Sequence, residues 1–180
     1  PRGRWLLAVS GGRDSMALLD AFATARGHEV AGVASFDHGT GRAATRAVQL
    51  VERTAMALQL PVMTGALGAA GAGDEASWRE ARWRFLRGWA AELRATVVTA
   101  HTWDDQVETV VLRLLRDSGP RGLAGMRVAA DVARPFLALP RETIAAFANA
   151  RGLTWVEDPS NRSMAFARNR VRHEILPALE

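Results

Sequence analysis

An apolar run, Trp5-Leu6-Leu7-Ala8-Val9, empties directly into Ser10-Gly11-Gly12-Arg13-Asp14-Ser15 and then into Met16-Ala17-Leu18-Leu19. No other stretch of the chain limits its fold so tightly. A strand that ends on two glycines and restarts as a helix makes a turn that can approach an anion closely, because glycine lacks Cβ and takes positive φ. Asp14 or Ser15 is placed to cap the helix that follows. The N–H groups of the first helical turn then face the anion. Ser10, Gly11, Gly12, Arg13, Asp14 and Ser15 are therefore read as a phosphate cradle. It is not a Walker A loop, since the GxxxxGK(S/T) spacing is missing and the chain has no lysine. Nor does it carry the GxGxxG spacing of a dinucleotide fingerprint.

Strand-like and helix-like segments alternate along the rest of the chain, the pattern of an α/β domain with a parallel sheet. Strands are expected at 4–9, 30–36, 61–64, 95–100 and 132–137. Helices are expected at about 14–26, 43–59, 75–94 and 103–116, then from Pro140 as N1 to a stop at Gly152, and finally at about 165–179. The Gly/Ala-rich stretch from Gly65 to Gly73 reads as a flexible connection, and Arg121 to Met126 as a glycine-rich loop. The fold class is a Rossmann-like, doubly wound parallel sheet of about five strands. Residues 1–180 are expected to form one domain.

In such sheets ligands bind beyond the carboxyl ends of the strands. Three polar clusters fall there: Ser10–Ser15, Asp37-His38-Gly39 and His101 to Glu108. They predict one site. With a helix starting near Trp103, Asp105 and Glu108 are three apart on one face, and His101 stands four before Asp105. The two carboxylates suit an ammonium group or Mg²⁺, while Asp104 suits a helix cap or the site. Asp37 can contact a nucleotide, bind Mg²⁺ or simply shape a turn. Arg79 and Arg82, with Arg84 and Arg87, form one basic cluster, and Arg162, Arg168, Arg170 and Arg172 another. Either is a solvated helix face or a phosphate contact. Trp78, Trp83, Phe85 and Trp89 read as core, with stacking of one of them on a base as the alternative.

Composition narrows the chemistry further. The chain has no cysteine, which excludes disulfides, thiolate metal sites, iron–sulfur clusters and cysteine nucleophiles. The same absence points to the cytoplasm as the expected location, and no apolar run approaches the roughly 20 residues that a membrane helix needs. All 23 basic residues are arginine, yet the net charge is only +4, which permits a nucleic-acid partner without requiring one.

The loop Ser10–Ser15 resembles the SGGxDS pyrophosphate loop of the PP-loop ATPases, which split ATP between the α and β phosphates. Later motifs narrow the resemblance to tRNA(Ile)-lysidine synthetases. Asp37-His38-Gly39 is similar to that family's DHG element, and Glu75-Ala76 with Arg79 and Arg82 resembles EAxxRxxRY, with Trp83 where tyrosine is usual. Ala100-His101 with Asp104-Asp105-Gln106-Val107-Glu108-Thr109 resembles AHHxDDQxET, with Thr102 replacing the second histidine. Gly122–Met126, Arg134–Leu137, Glu157–Asn161 and Arg168–Arg172 complete the order. Thr40-Gly41-Arg42 departs from the Leu-Arg that follows DHG.

The resemblance implies ATP with Mg²⁺, a tRNA(Ile) with a CAU anticodon and free lysine as reactants, and it leaves a homodimer open. The expected product is lysidine at the wobble cytidine, formed through an adenylated base. Asp14, Asp37, His101, Asp105, Glu108 and Arg79 are the implied catalytic residues, with Asp37 also a metal ligand. Arg82, Asn161, Arg168, Asn169 and Arg172 are implied for substrate or RNA. Many family members carry C-terminal tRNA-binding domains, which are expected to be absent or trimmed here. The alternatives are another PP-loop adenylating enzyme, or a nucleotide- or RNA-binding module without turnover.

Overall fold

A computed structural model of the chain describes residues 3–37, 39, 41–67, 75–116, 126, 131–159 and 163–179. Five strands form one sheet: β1 (Arg4–Ala8), β2 (Glu29–Asp37), β3 (Val62–Ala66), β4 (Thr96–Val98) and β5 (Val132–Ala133). Their order is β3-β2-β1-β4-β5 and every pairing is parallel. Between them run α1 (Arg13–Thr24), α2 (Arg42–Ala57), α3 (Glu75–Glu92) and α4 (Trp103–Leu114), and after the sheet come α5 (Arg141–Ala150) and α6 (Ala167–Arg170). The winding reverses between β1 and β4, where an open sheet leaves a crevice for ligand. The Rossmann-like expectation holds.

Alternation along the strands sends side chains to both faces. Trp5, Leu7 and Val9 pack with Met16, Leu18 and Leu19 of α1, and with Val51 and Ala55 of α2. Leu6, Ala34, Val97 and Val132 meet Leu86 of α3, with Trp83, Phe85 and Trp89 around it. Burying a leucine such as Leu6 or Leu86 contributes about 1.5–3 kcal/mol, and both faces of β1 are covered this way. Ile144 and Ala148 of α5 close on Ala17 of α1, which brings the start of α5 beside the phosphate loop. Among the described residues no helix is long and apolar enough to cross a membrane.

Three elements differ from the sequence expectation. β5 stops at Ala133 rather than residue 137, because Pro135 has no N–H for the ladder and the chain turns there. Pro140 is the N-cap of α5, not its first helical residue. The expected last helix is only four α-helical residues long and then widens into a π-helical turn over Val171–Ile175, closed by Leu176 N–H donating to the Val171 carbonyl at 2.9 Å. Such wide turns often mark functional sites. This one carries Arg172. The expected glycine-rich loop at 121–126, apart from Met126, lies outside the described residues, as does most of the connection before α3.

Candidate active site

The phosphate loop begins with a helix that starts earlier than its sequence suggests. Gly12 is the N-cap of α1 and no side chain caps it, so neither Asp14 nor Ser15 takes that role. Ser15 ties the loop together instead. Its hydroxyl donates to the Gly12 carbonyl at 2.8 Å and accepts from the Ser10 amide at 3.1 Å. The first-turn amides of α1 have no intrahelical acceptor, and the N-cap Gly12 supplies no side chain to cap them. The residues of that turn line the crevice.

That crevice is a cavity of about 590 Å³. Ser10, Gly12, Arg13, Asp14 and Ser15 form one end, and Ala8, Ala34, Phe36 and Leu86 its apolar floor. Trp155, Val156, Glu157 and Asp158 form a wall, held to the loop by Val156 N–H donating to the Gly11 carbonyl at 2.9 Å. Arg82, His101, Arg141 and Arg172 stand at the remaining side. Gly11 itself sits behind the loop, against Ala47 of α2.

Asp14 forms an ion pair with Arg13 at 3.1 Å and faces Arg141 at 3.8 Å. Burial nevertheless raises its carboxyl above the usual range, against the pull of Arg13 and Arg141. Arg82 is lowered to about 10, chiefly by burial and then by the neighbouring Arg79 and Arg168. Among the described residues its Nε has no hydrogen-bond acceptor. A buried guanidinium N–H without an acceptor, in a cavity wall, is an anion-binding feature. Arg79 is exposed, 6.0 Å above the Trp83 ring.

Beyond this wall lies a buried ionic cluster. Thr102, wholly buried, is the N-cap of α4 and forms a capping box with Asp105. The Thr102 amide and hydroxyl both donate to Asp105 Oδ2, at 2.8 and 2.9 Å. Burial would raise the Asp105 carboxyl, but the Thr102 amide, Arg141 and Arg168 together hold it below its usual range. Glu108 is 1% exposed and accepts from three arginines. Arg172 grips it with Nε to Oε1 at 2.7 Å and Nη2 to Oε2 at 3.1 Å. Arg168 Nε donates to Oε2 at 2.8 Å and Arg141 Nη2 to Oε1 at 3.2 Å. The two carboxylates share a face, as their spacing predicts. They are engaged by guanidiniums rather than standing open.

His101 lines the cavity, with its Nδ1 2.8 Å from the Thr99 hydroxyl. Its pKa falls to about 4, chiefly through burial, with Asp105 opposing and Arg82, Arg168 and Arg134 reinforcing the drop. The folded ring is neutral, while the unfolded chain takes up a proton near the ordinary 6.5. The resulting stability is complete above that value and is lost as pH falls toward 4, because the unfolded chain then binds the extra proton. In a His101→Gln variant, the loss of unfolding free energy between about pH 7 and about pH 5 should shrink by about 2 kcal/mol in urea titrations. An unchanged pH response would mean that the ring is solvated.

The other expected site residues are less central. Asp37 accepts from the Gly39 amide at 2.8 Å and the Thr45 hydroxyl at 3.1 Å, which shapes the turn into α2, and it is not among the described residues lining the cavity. Asn169 is buried and donates to the Ser163 carbonyl at 2.8 Å. Asn161 and His38 lie outside the described residues. Asp104 does cap a helix, but not its own: its carboxylate accepts from the Arg141 amide at 2.7 Å, at the start of α5. Among the described residues no three acidic or histidine side chains could hold a metal ion together.

Sequence reasoning missed Arg141 and the role of Thr102. Both had a signal. Arg141 is a cation in the first turn of a helix, where the dipole disfavours it. Thr102 and Asp105 have the spacing of a capping box.

A phosphate loop at the switch point of a doubly wound sheet, with a cationic cavity beside it, defines an α/β domain built to handle a nucleotide's phosphates. The chain belongs to the PP-loop domain family, whose model matches residues 1–179. It is 44% identical over 189 residues to a tRNA(Ile)-lysidine synthase of Salinispora tropica, covering 98% of this chain and 56% of that protein. To the enzyme of the same name from Ruegeria pomeroyi it is 39% identical, covering 97% of this chain and 44% of the other. The chain thus spans about half the length of the curated relatives it matches. Among solved structures, the U34-tRNA thiolase NcsA of Methanococcus maripaludis superposes with a TM-score of 0.73 at 13% identity, covering 99% of this chain and 66% of that one. An NH3-dependent NAD synthetase of Campylobacter jejuni gives 0.52 at 15%, covering 99% and 79%. These two likenesses establish the shared fold.

Proposed function

We propose that this domain catalyses lysidine formation on a CAU-anticodon tRNA(Ile) in the cytoplasm, using ATP and free lysine. The observation that carries the reading is a single cavity with the phosphate loop at one end and, behind its other side, the Asp105/Glu108 acid pair. One end suits pyrophosphate as a leaving group, and the other suits an amine. The names of the similar proteins from Salinispora and Ruegeria support tRNA(Ile) as the RNA substrate.

In the first step the cytidine O2 attacks the α-phosphorus, an O–P bond forms, and the bond to the bridging oxygen of pyrophosphate breaks. The first-turn amides of α1 and Arg13 receive the charge that moves onto the leaving group. Arg82 is placed to neutralise charge on the α-phosphate or on the RNA backbone. In the second step the amine attacks C2, the C2–O bond breaks and AMP departs. His101 is neutral, and in the tautomer whose Nδ1–H donates to the Thr99 hydroxyl its Nε2 is the proton acceptor. Asp105 and Glu108 orient the amine.

Mg²⁺ usually binds through one or two carboxylates plus substrate phosphates, and the donors here fit that pattern. Asp14, in the cavity wall beside the loop, would hold it, since Asp37 is not among the described residues lining the cavity. When bound, the ion neutralises phosphate charge.

The test is label transfer from radioactive lysine into a CAU-anticodon tRNA(Ile), with ATP and Mg²⁺. Wild-type protein should fix label, and Asp14→Ala should reduce the rate by at least about a hundredfold. AMP formed without label would point to another nucleophile. Absence of both products from a folded, ATP-binding protein would refute the proposal.

A further inference from the structure

Arg141 touches more acidic groups than any other side chain in the site. Its Nη2 lies 3.0 Å from Asp105 Oδ1 and 3.2 Å from Glu108 Oε1. Its Nε lies 3.8 Å from Asp14 Oδ2, on the phosphate loop. The side chain is 21% exposed and forms part of the cavity wall. It therefore stands between the nucleotide end and the acid pair.

The other acceptor positions of that pair are taken. Asp105 Oδ2 accepts twice from Thr102, and Glu108 Oε2 accepts from Arg168 and Arg172. Glu108 Oε1 also accepts from Arg172 Nε. Among the described residues Arg141 Nη2 is the donor within hydrogen-bond distance of both carboxylates, while Arg168 and Arg172 stand farther from Asp105 Oδ1, at 3.8 and 3.9 Å. An alkylammonium nitrogen has the same charge and the same kind of N–H donor. The place where it can reach both carboxylates without breaking another bond is the position Nη2 occupies.

We infer that Arg141 is a place-holding cation: it fills the ammonium position between Asp105 and Glu108, and nucleotide phosphate beside Asp14 draws it away so that the amine binds second. A guanidinium pairs strongly with phosphate oxygens, and Asp14 marks the side from which phosphate would compete. The backbone need not move, because the Arg141 amide is anchored on Asp104. Glu108 keeps Arg168 and Arg172 when Arg141 leaves, so no buried carboxylate is stranded. The amine then replaces one positive charge with another. Arg141 is a positioning residue in this scheme, and it couples the two substrates. The inference rests on the amine reading above, yet the motion of the arginine can be tested apart from it.

The first measurement is calorimetric titration of lysine, with and without an ATP analogue carrying a methylene bridge between the α and β phosphates. Wild-type protein should bind lysine at least about tenfold more tightly with the analogue. In Arg141→Met the position is open from the start, and the ratio should fall to within about twofold. Arg141→Lys, which retains a charge, should restore part of it. An arginine with a merely structural role would weaken both titrations equally and preserve the ratio, which would overturn the inference.

The second measurement is a crystal structure with the analogue bound. Arg141 Nη2 should have moved beyond hydrogen-bond reach of Glu108. If it remains on both carboxylates while the nucleotide is seated, the inference fails whatever amine the enzyme uses. A displaced arginine combined with no lysine binding would support the displacement and count against lysine as the amine.

Discussion

A Glu108→Ala variant should lose about 3–5 kcal/mol of stability, the usual cost of removing one partner from a buried ionic cluster. The side chain is 1% exposed, and its two oxygens accept from Arg141, Arg168 and Arg172. Without it, three guanidiniums face one another with Asp105 as the nearest counter-charge. The loss should be visible as a lower midpoint in urea at neutral pH. Glu108→Asp, which keeps the charge and shortens the reach, should lose less. A change below about 1 kcal/mol for the alanine variant would mean that the arginines simply turn to solvent. The same variant should release the final π-helical turn, since Arg172 is held there by two hydrogen bonds to Glu108.

Gly11→Ala is the second large effect. The residue has φ of +81°, and an added Cβ would come within 2.7 Å of the Ala47 carbonyl oxygen and 2.9 Å of its Cα. Those are backbone atoms of α2, so no side-chain rotation relieves the overlap. The left-handed conformation costs roughly 1–2 kcal/mol for a residue with Cβ, and the overpacking adds roughly 1–3 kcal/mol. Relief requires the loop to lift off α2, which also pulls on its bond to Val156. Thermal unfolding should show the loss, and nucleotide affinity should fall at the same time. A variant within about 0.5 kcal/mol of wild type with normal ATP affinity would show that the loop has slack.

The sheet and the phosphate loop were legible because both are written locally. Short apolar runs ending in polar residues gave all five strands, and their ends gave the rim on which Ser10, Asp14 and His101 meet. The three-residue spacing of Asp105 and Glu108 correctly put them on one face. What occupies that face was not legible, because the partners of Glu108 lie 33, 60 and 64 residues away. Periodicity along one helix carries no information about which distant cation reaches it. Asp104 illustrates the same limit: its position looks like a cap of α4, yet the amide it satisfies belongs to α5. The break in β5 did have a local cause in Pro135, but the apolar residues flanking that proline outweighed it in the reading.

The clamp on Glu108 also has a temporal side. In order of synthesis Glu108 precedes Arg141 by 33 residues, Arg168 by 60 and Arg172 by 64. Until Arg168 and Arg172 emerge, the described cations around Glu108 reduce to Arg141 alone. The fifth strand ends at Ala133, so every strand of the sheet is made before two of the three arginines that hold Glu108. The buried cluster gains those two counter-charges only when residues 168–172 have been made.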